Sequence, residues 1–281
     1  FMFAVSENNW LGRGIKLEST LNVSEQKISG NILIDNPNYN FTSNSLRVGL
    51  DVSSTDRSSS SGFKSSRTGF GLGTSFEQYE NMYISPNISI AFEDIEVDES
   101  ASSAIKKMEG NFFNADLGYA ITLDKRNQSF KPTEGHKTTF RQSLPIIQDS
   151  SSILNGLDIS AYHDFSEDVI GSLKLHARSI NGVDDDVRLT NRLYIPRSRL
   201  RGFNTYKVGP KDGDDYIGGN YTTAVSAEAQ LPNILPESYK TDVSLFFDTA
   251  NVWAVDYSNS IDETNKIRSS VGVSANIYTT I

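Results

Sequence analysis

The chain has 281 residues, no cysteine and a formal net charge of −9. This length allows one large β domain or two ordinary domains, and the lack of cysteine excludes disulfides and cysteine-based metal or redox sites. The negative charge argues against a nucleic-acid-binding protein, which would carry a clustered basic face. The three histidines have no metal-ligand spacing, so we expect ordinary strand or turn residues at His136, His163 and His176.

No apolar run approaches the ~18 residues of a membrane helix. This excludes helical membrane spans only. A membrane β-barrel shows alternation instead of long apolar runs, because half of each strand faces a polar lumen.

Period-two hydrophobicity recurs along the whole chain, in segments separated by polar turns or loops. Such alternation is typical of β-strands, and no segment of comparable length has helical periodicity. The sequence therefore predicts an all-β chain. In order, the apolar residues of the thirteen predicted strands span Phe1–Val5, Ile15–Val23, Ile28–Ile34, Leu46–Val52, the weak Gly-rich segment Lys64–Glu77, Ile84–Phe92, Phe113–Leu123, Thr138–Leu144, Leu157–Ala161, Val169–Ala177, Val225–Leu231, Val243–Phe247 and Val271–Ile277.

The predicted strands carry charges on their polar faces, whereas their apolar faces are almost free of charge, and short turns alternate with long loops. Short turns at one end and long loops at the other are typical of an outer-membrane barrel. The alternative, a soluble β-sandwich, would pack its apolar faces inside. Charged residues deep inside strands on the polar faces include Lys16, Glu18, Arg47, Asp51, Asp116, Asp158, Lys174, Glu228, Asp242 and Asp248.

Both ends of the chain fall inside strand-like segments. Phe1 begins in the middle of an alternating run, and Ile281 ends another run without a closing turn. We therefore expect this sequence to be a piece of a longer protein.

The longest predicted loop covers residues 181–218 and carries a cationic turn, Leu200–Phe203. A long loop in a compact β protein is usually functional or disordered. Burial of this turn would require anionic partners, because three further arginines surround it: Arg192, Arg197 and Arg199.

Several fragments, in the right order, resemble turns of the BamA family of outer-membrane assembly barrels. Glu7–Gly14 resembles the family's NFLGxG turn. Asp35–Pro37 resembles a strand end of the DPYF type, although Asn38 follows where an aromatic residue is usual. Leu123–Asn127 with Phe130–Gly135 matches the LDRRN…FPTxG turn, with Lys131 as an inserted residue.

The second half of the chain continues the resemblance. Leu200–Phe203 matches the VRGF motif with Leu for Val, and Gly209-Pro210 with Gly218–Asn220 matches its continuation. Phe246–Trp253 resembles the FxDxGxxW strand end, with Ala250 in place of the usual Gly. Together the fragments cover nearly the whole length of the chain.

The resemblance implies an antiparallel transmembrane β-barrel of sixteen strands, of which this piece would contain about thirteen, the second to the fourteenth. Residues 1–281 would form one barrel domain without the first strand, the last two strands and the upstream POTRA domains. The loop at 181–218 would be the long extracellular loop that folds back into the lumen.

The strand alternation independently suggests partners for Arg201. If Val243, Leu245 and Phe247 face lipid, Phe246 and Asp248 face the lumen, and Glu228 does so on the neighbouring strand. A guanidinium group can bond a carboxylate in a bidentate fork and stack on a ring. From the residues alone, an exposed arginine in a basic loop remains an equal alternative.

By resemblance, the function is that of an outer-membrane β-barrel insertase rather than an enzyme. The implied partners are unfolded outer-membrane β-barrel clients, outer-membrane lipids and assembly-complex lipoproteins, without nucleic acid. We expect no cofactor, metal or catalytic residue. The alternatives are a TamA-like or two-partner-secretion translocation barrel and a passive porin.

An acidic cluster in the long loop allows a second interpretation. Asp212, Asp214 and Asp215 could suggest a calcium loop, but their spacing is irregular, and a solvated acidic loop is the preferred interpretation.

Overall fold

The computed structural model describes residues 1–99, 101, 103–149, 151–166, 168–231, 241–256, 261–262 and 266–277. Within these ranges no helix is both long and apolar enough to cross a membrane. The helical pieces are single turns: a 3-10 turn at Tyr39–Phe41, α1 (Ser58–Ser61) and α2 (Ser103–Lys106). The strands are β1 (Met2–Trp10), β2 (Ile15–Val23), β3 (Lys27–Asn36), β4 (Ser45–Asp56), β5 (Phe63–Tyr79), β6 (Met82–Val97), β7 (Gly110–Asp124), β8 (Gly135–Gln148), β9 (Ser152–Ser166), β10 (Val169–Gly182), β11 (Lys211–Asp212), β12 (Asp215–Tyr216), β13 (Tyr221–Gln230), β14 (Thr241–Trp253), β15 (Ile261–Asp262) and β16 (Arg268–Ile277).

Thirteen of the strands described form one antiparallel sheet, in which each long strand pairs with the next long strand along the chain. The sheet order is β1 to β10, then β13, β14 and β16, with β1 and β16 at the two open edges. Every predicted strand is confirmed. The fifth, predicted to be weak, is a 17-residue strand because β4 and β6 pair with it on both sides.

The two faces of the sheet differ as the alternation predicts. On β14, Leu245 and Phe247 on the outer face are 49% and 48% exposed, whereas Ser244 and Asp248 on the inner face are 2% and 0% exposed. Successive side chains of a strand point to opposite faces, so this difference follows from sequence parity alone.

The sheet curls, which brings distant strands together around the inner face. The turn between β7 and β8 reaches β14, where the Lys131 ammonium lies 2.6 Å from a carboxylate oxygen of Asp242. Asn127 stabilises this turn, because its Oδ1 accepts hydrogen bonds from the backbone N–H groups of Thr133 and Glu134. Lys131, the inserted residue, adopts a left-handed backbone conformation with φ of 47°.

The connection from β10 to β13, residues 183–220, is called the long loop below. It is bounded slightly differently from the predicted 181–218, because β10 continues to Gly182 and β13 begins at Tyr221. The long loop is also not wholly irregular. Its hairpin β11–β12 forms a separate three-stranded sheet with β15.

Most of the buried apolar residues in the described part of the chain form two clusters, both between the long loop and the sheet. The first joins the loop to β5, β6 and the α2 region: Phe63, Ile95, Ala101, Ile105, Leu189 and Ile217. The second joins the loop to β13 and β14: Ile195, Leu200, Val208, Ala224, Ala250 and Val252. Packing of apolar loop residues against the sheet therefore holds the long loop in position.

Candidate functional site: the docked Arg201 turn

Arg201 lies against β13 and β14 and contacts both carboxylates that the alternation placed on the inner face. Its Nε and Nη2 each donate a hydrogen bond of 2.8 Å to a different oxygen of Asp248. Its backbone N–H donates to the same carboxylate at 3.1 Å, and Nη1 donates to Glu228 at 3.2 Å. The Asp248 hydrogen bonds raise the pKa of the Arg201 guanidinium above its ordinary value.

The ring of Phe246 provides the third predicted contact. The guanidinium carbon of Arg201 lies 3.6 Å from the centre of that ring, within cation–π range. Phe246 pairs with Glu228 on β13 and with Gly272 on β16. A Cβ on Gly272 would fall 2.8 Å from the ring, so the glycine leaves the space in which the ring lies.

The residues beside Arg201 give the turn its shape. Gly202 has φ of 87°, a conformation that favours glycine, whereas nothing lies within 4 Å of the position where its Cβ would be. Leu200 is fully buried against β13 and β14, with Phe203 packed at the edge of the same cluster. Gly202 therefore provides the left-handed backbone conformation of the turn, and Leu200 anchors the turn by apolar packing.

The remaining arginines near the turn differ in their surroundings. Arg192 is buried and pairs with Asp256 at 2.5 Å. Arg199 lies 3.6 Å from Asp158, which also accepts hydrogen bonds from side chains of β8 and β10. Arg197 is exposed. The predicted anionic partners therefore exist for Arg192, Arg199 and Arg201.

The beginning of the long loop is anchored on a different part of the sheet. Arg188 donates a hydrogen bond to the Asn114 side chain and lies 3.7 Å from Glu93, and its guanidinium lies 4.4 Å from the centre of the Phe112 ring. Burial lowers the pKa of Arg188. Thr190 donates to Glu93 at 3.0 Å, which adds a second contact to β6.

A further arginine approaches the long loop from the β4–β5 connection. The Arg57 guanidinium lies 3.9 Å from the ring centre of Tyr206 and 5.1 Å from that of Tyr194. Here the long loop carries the rings and the β4–β5 connection carries the cation, whereas at the Arg201 site the loop carries the cation and β14 carries the ring. The long loop is thus held both by β13–β14 and by the region from β4 to β7.

Sequence reasoning missed Gly272, Arg57 and the anchorage of Arg188. Strand alternation, combined with the register of β14 and β16, would have identified Gly272 as the residue opposite Phe246. The partners of Arg188 carry no local signal, since they lie more than seventy residues away along the chain.

The acidic cluster lies in the β11–β12 hairpin. Asp212 and Asp215 are paired across the hairpin and partly buried, whereas Asp214 is exposed. Burial raises the pKa of the Asp215 carboxyl group, and the charges of Asp212 and Asp214 add to this effect.

Comparison with known proteins agrees with this architecture. The Omp85 superfamily domain matches residues 9–280. The outer membrane protein assembly factor BamA of Neorickettsia risticii is 24% identical over 280 residues, which cover 96% of this chain and 37% of that protein. The chain therefore spans about a third of the length of this relative.

Solved structures show the same fold. The crystal structure of BamA from Haemophilus ducreyi lacking POTRA domains 1–3 matches with a TM-score of 0.84 at 20% identity, covering all of this chain and 61% of that one. CdiB from Acinetobacter baumannii matches with a TM-score of 0.59 at 15% identity, over 97% of this chain and 49% of that one. The resemblance to BamA that the turn motifs indicate is confirmed. The chain belongs to the Omp85 superfamily and is an integral β-barrel protein of the bacterial outer membrane.

Proposed function

We propose that the chain is most of the barrel domain of a β-barrel insertase, the central component of a machinery that folds and inserts other barrels into the outer membrane. The complete barrel would have sixteen strands, of which this chain supplies the second to the fourteenth. The observation that carries the proposal is the match to a BamA assembly factor along nearly the whole chain.

The docked long loop supports this proposal over a passive pore. A loop that is tied to two parts of the wall and buries its own apolar core fills space that a porin would leave for solutes. The role of Leu200, Arg201, Gly202 and Phe203, with Glu228, Phe246 and Asp248 as wall partners, would be to stabilise the closed barrel.

The proposed mechanism uses strand pairing and no bond-making chemistry, so the protein would not be an enzyme. A weakly paired seam between the first and last strands of the barrel would offer an edge to which an unfolded client adds a strand. Outer-membrane lipids, thinned locally, and assembly lipoproteins would assist. The Arg201 turn would couple loop position to opening of the seam.

Reconstitution of the full-length protein into lipid vesicles tests the proposal. An unfolded client barrel should become protease-resistant and heat-modifiable faster than in empty vesicles, and Arg201→Ala should slow this gain. Arg197→Ala, which changes an exposed arginine of the same loop, serves as the matched control. Client folding at the rate of empty vesicles would overturn the proposal.

The second candidate is a TamA-like or two-partner-secretion barrel that passes polypeptide through the lumen. The fold similarity to CdiB favours it over a porin, but that similarity is lower than the one to the BamA barrel. Transport of an unfolded soluble polypeptide into the same vesicles, without any gain in barrel insertion, would select this alternative.

A further inference from the structure

We propose that the inner face of the sheet carries a binding site for a small oxyanion, a phosphate or carboxylate group, at a hollow between β3 and β10. The hollow has a volume of about 460 Å³, and the charged side chains that line it in the described part of the chain are Arg47, Arg141 and Arg178. No described carboxylate group lines it. Ligand sites are usually pockets of several hundred Å³ that contain a few polar groups.

Four inward-facing glycines line the hollow: Gly71 and Gly73 on β5, Gly118 on β7 and Gly156 on β9. The Asn87 side chain lies beside Gly73 and Gly118. The Arg178 side chain lies against Gly156, where a Cβ would fall 3.0 Å from its Cζ atom. Nothing lies within 4 Å of the Cβ position of Gly71, so the floor of the hollow is open there.

The carboxylates around the hollow are too few for the arginines. Arg47 pairs with Asp35 at 2.8 Å. Asp158 forms ion pairs with Arg141 at 2.9 Å and with Arg178 at 2.6 Å, and Arg199 of the long loop lies 3.6 Å from the same carboxylate. Among the described residues, four guanidinium groups thus share two carboxylates, so this cluster has two more positive than negative charges.

The arginines also retain hydrogen-bond donors for a ligand. The side chains of Arg47 and Arg141 are 56% and 54% exposed, and each directs one nitrogen at its carboxylate. A guanidinium group has five donors in a planar fork that matches a phosphate or a carboxylate. Two such forks line one hollow and supply the donors that an oxyanion site needs, and this site does not depend on the proposed insertase function.

Calorimetric titration of the full-length protein in detergent at low salt tests the site. Pyrophosphate and an amidated triglutamate peptide are titrated separately, and at least one should bind saturably at a 1:1 ratio. Arg47→Gln with Arg141→Gln should weaken that binding at least tenfold, because each charge-assisted hydrogen bond is worth about that factor. Arg67→Gln is the matched control, since Arg67 also pairs with a carboxylate on the inner face but does not line the hollow.

A second variant keeps every arginine in place. Gly71→Val adds apolar bulk to the hollow at a position with nothing within 4 Å of the Cβ, and it should weaken binding at least tenfold. Gly30→Val, at an equally open strand glycine outside the hollow, should not weaken binding. Binding of pyrophosphate alone assigns a phosphate ligand, and binding of triglutamate alone assigns a carboxylate ligand. Failure of both probes to bind, or binding unchanged by Gly71→Val, would overturn the site.

Discussion

Two arginines, Arg201 and Arg188, hold the long loop in opposite electrostatic environments. Arg201 has a bidentate contact with Asp248, which is 0% exposed, and its pKa is raised by that hydrogen bonding. Arg188 has one carboxylate at 3.7 Å, and burial lowers its pKa. Its Nε and Nη1 atoms have no hydrogen-bond partner among the described residues.

The difference indicates which anchor stabilises the docked loop. A paired and hydrogen-bonded buried charge is strongly coupled to its partner, whereas a poorly paired one recovers little of its desolvation cost. We therefore expect the Arg201 end to determine the stability of docking. The Arg188 end would position the loop mainly through the packing of Leu189 and the Phe112 ring.

The largest effect should come from Arg201→Met. The substitution leaves Asp248 buried without its cation, and such changes usually reduce the free energy of unfolding by ~3–5 kcal/mol. Because Arg201 is partly exposed, we expect a loss of about 3 kcal/mol. Urea unfolding in lipid vesicles measures the free energy. Arg197→Met, at an exposed position of the same loop, should change it by less than about 0.5 kcal/mol. Equal effects of the two variants would contradict the assignment of Arg201 as the anchor.

An intermediate effect is expected from Gly272→Ala, which tests the ring contact alone. The added Cβ would lie 2.8 Å from the Phe246 ring and must displace it from beneath Arg201, at a cost of about 1–3 kcal/mol. Gly71→Ala adds the same methyl group at a strand position with nothing within 4 Å. The same unfolding assay should find the Gly71 variant close to wild type. A stable Gly272 variant would mean that the ring can move freely.

A smaller effect should follow Arg188→Met. The substitution removes two buried N–H groups without partners and keeps a flexible side chain that can pack on the Phe112 ring. It also removes the hydrogen bond to Asn114, so the net loss should be about 1 kcal/mol. A loss as large as that of Arg201→Met, in the same assay, would show that the two anchors are equivalent.

The sequence could predict the Arg201 site because strand parity is a local property. Alternation along β13 and β14 places Glu228, Phe246 and Asp248 on one face without any knowledge of the tertiary structure. The resemblance then supplied the reason for Arg201 to reach that face. The thirteen strands were predictable for the same reason, including β5, whose glycines lower its strand propensity but not its pairing.

The Arg188 anchor was not predictable, because it depends on how far the sheet curls. Asn114 and Phe112 lie on β7, and the curl of the sheet brings them to the start of the long loop. No pattern in residues 183–220 distinguishes Arg188 from the exposed Arg197. The hairpin β11–β12 was missed likewise, because two-residue strands are too short to show alternation.

The smallest effect concerns the β11–β12 hairpin, which follows both anchors in the long loop. Burial and the charges of Asp212 and Asp214 raise the pKa of Asp215, so its ionised form is less favourable in the folded state than in the unfolded state. Folding stability therefore falls as the pH rises from the unfolded pKa through the folded pKa. Asp215→Asn should increase the free energy of unfolding at pH 7 by no more than about 0.5 kcal/mol, which a small rise of the thermal midpoint would show. The gain should vanish once the pH is below the pKa of Asp215 in the unfolded state. Asp214→Asn, at the exposed neighbouring position, is the control. A gain that persists at low pH would show that the charge of Asp215 is not the cause.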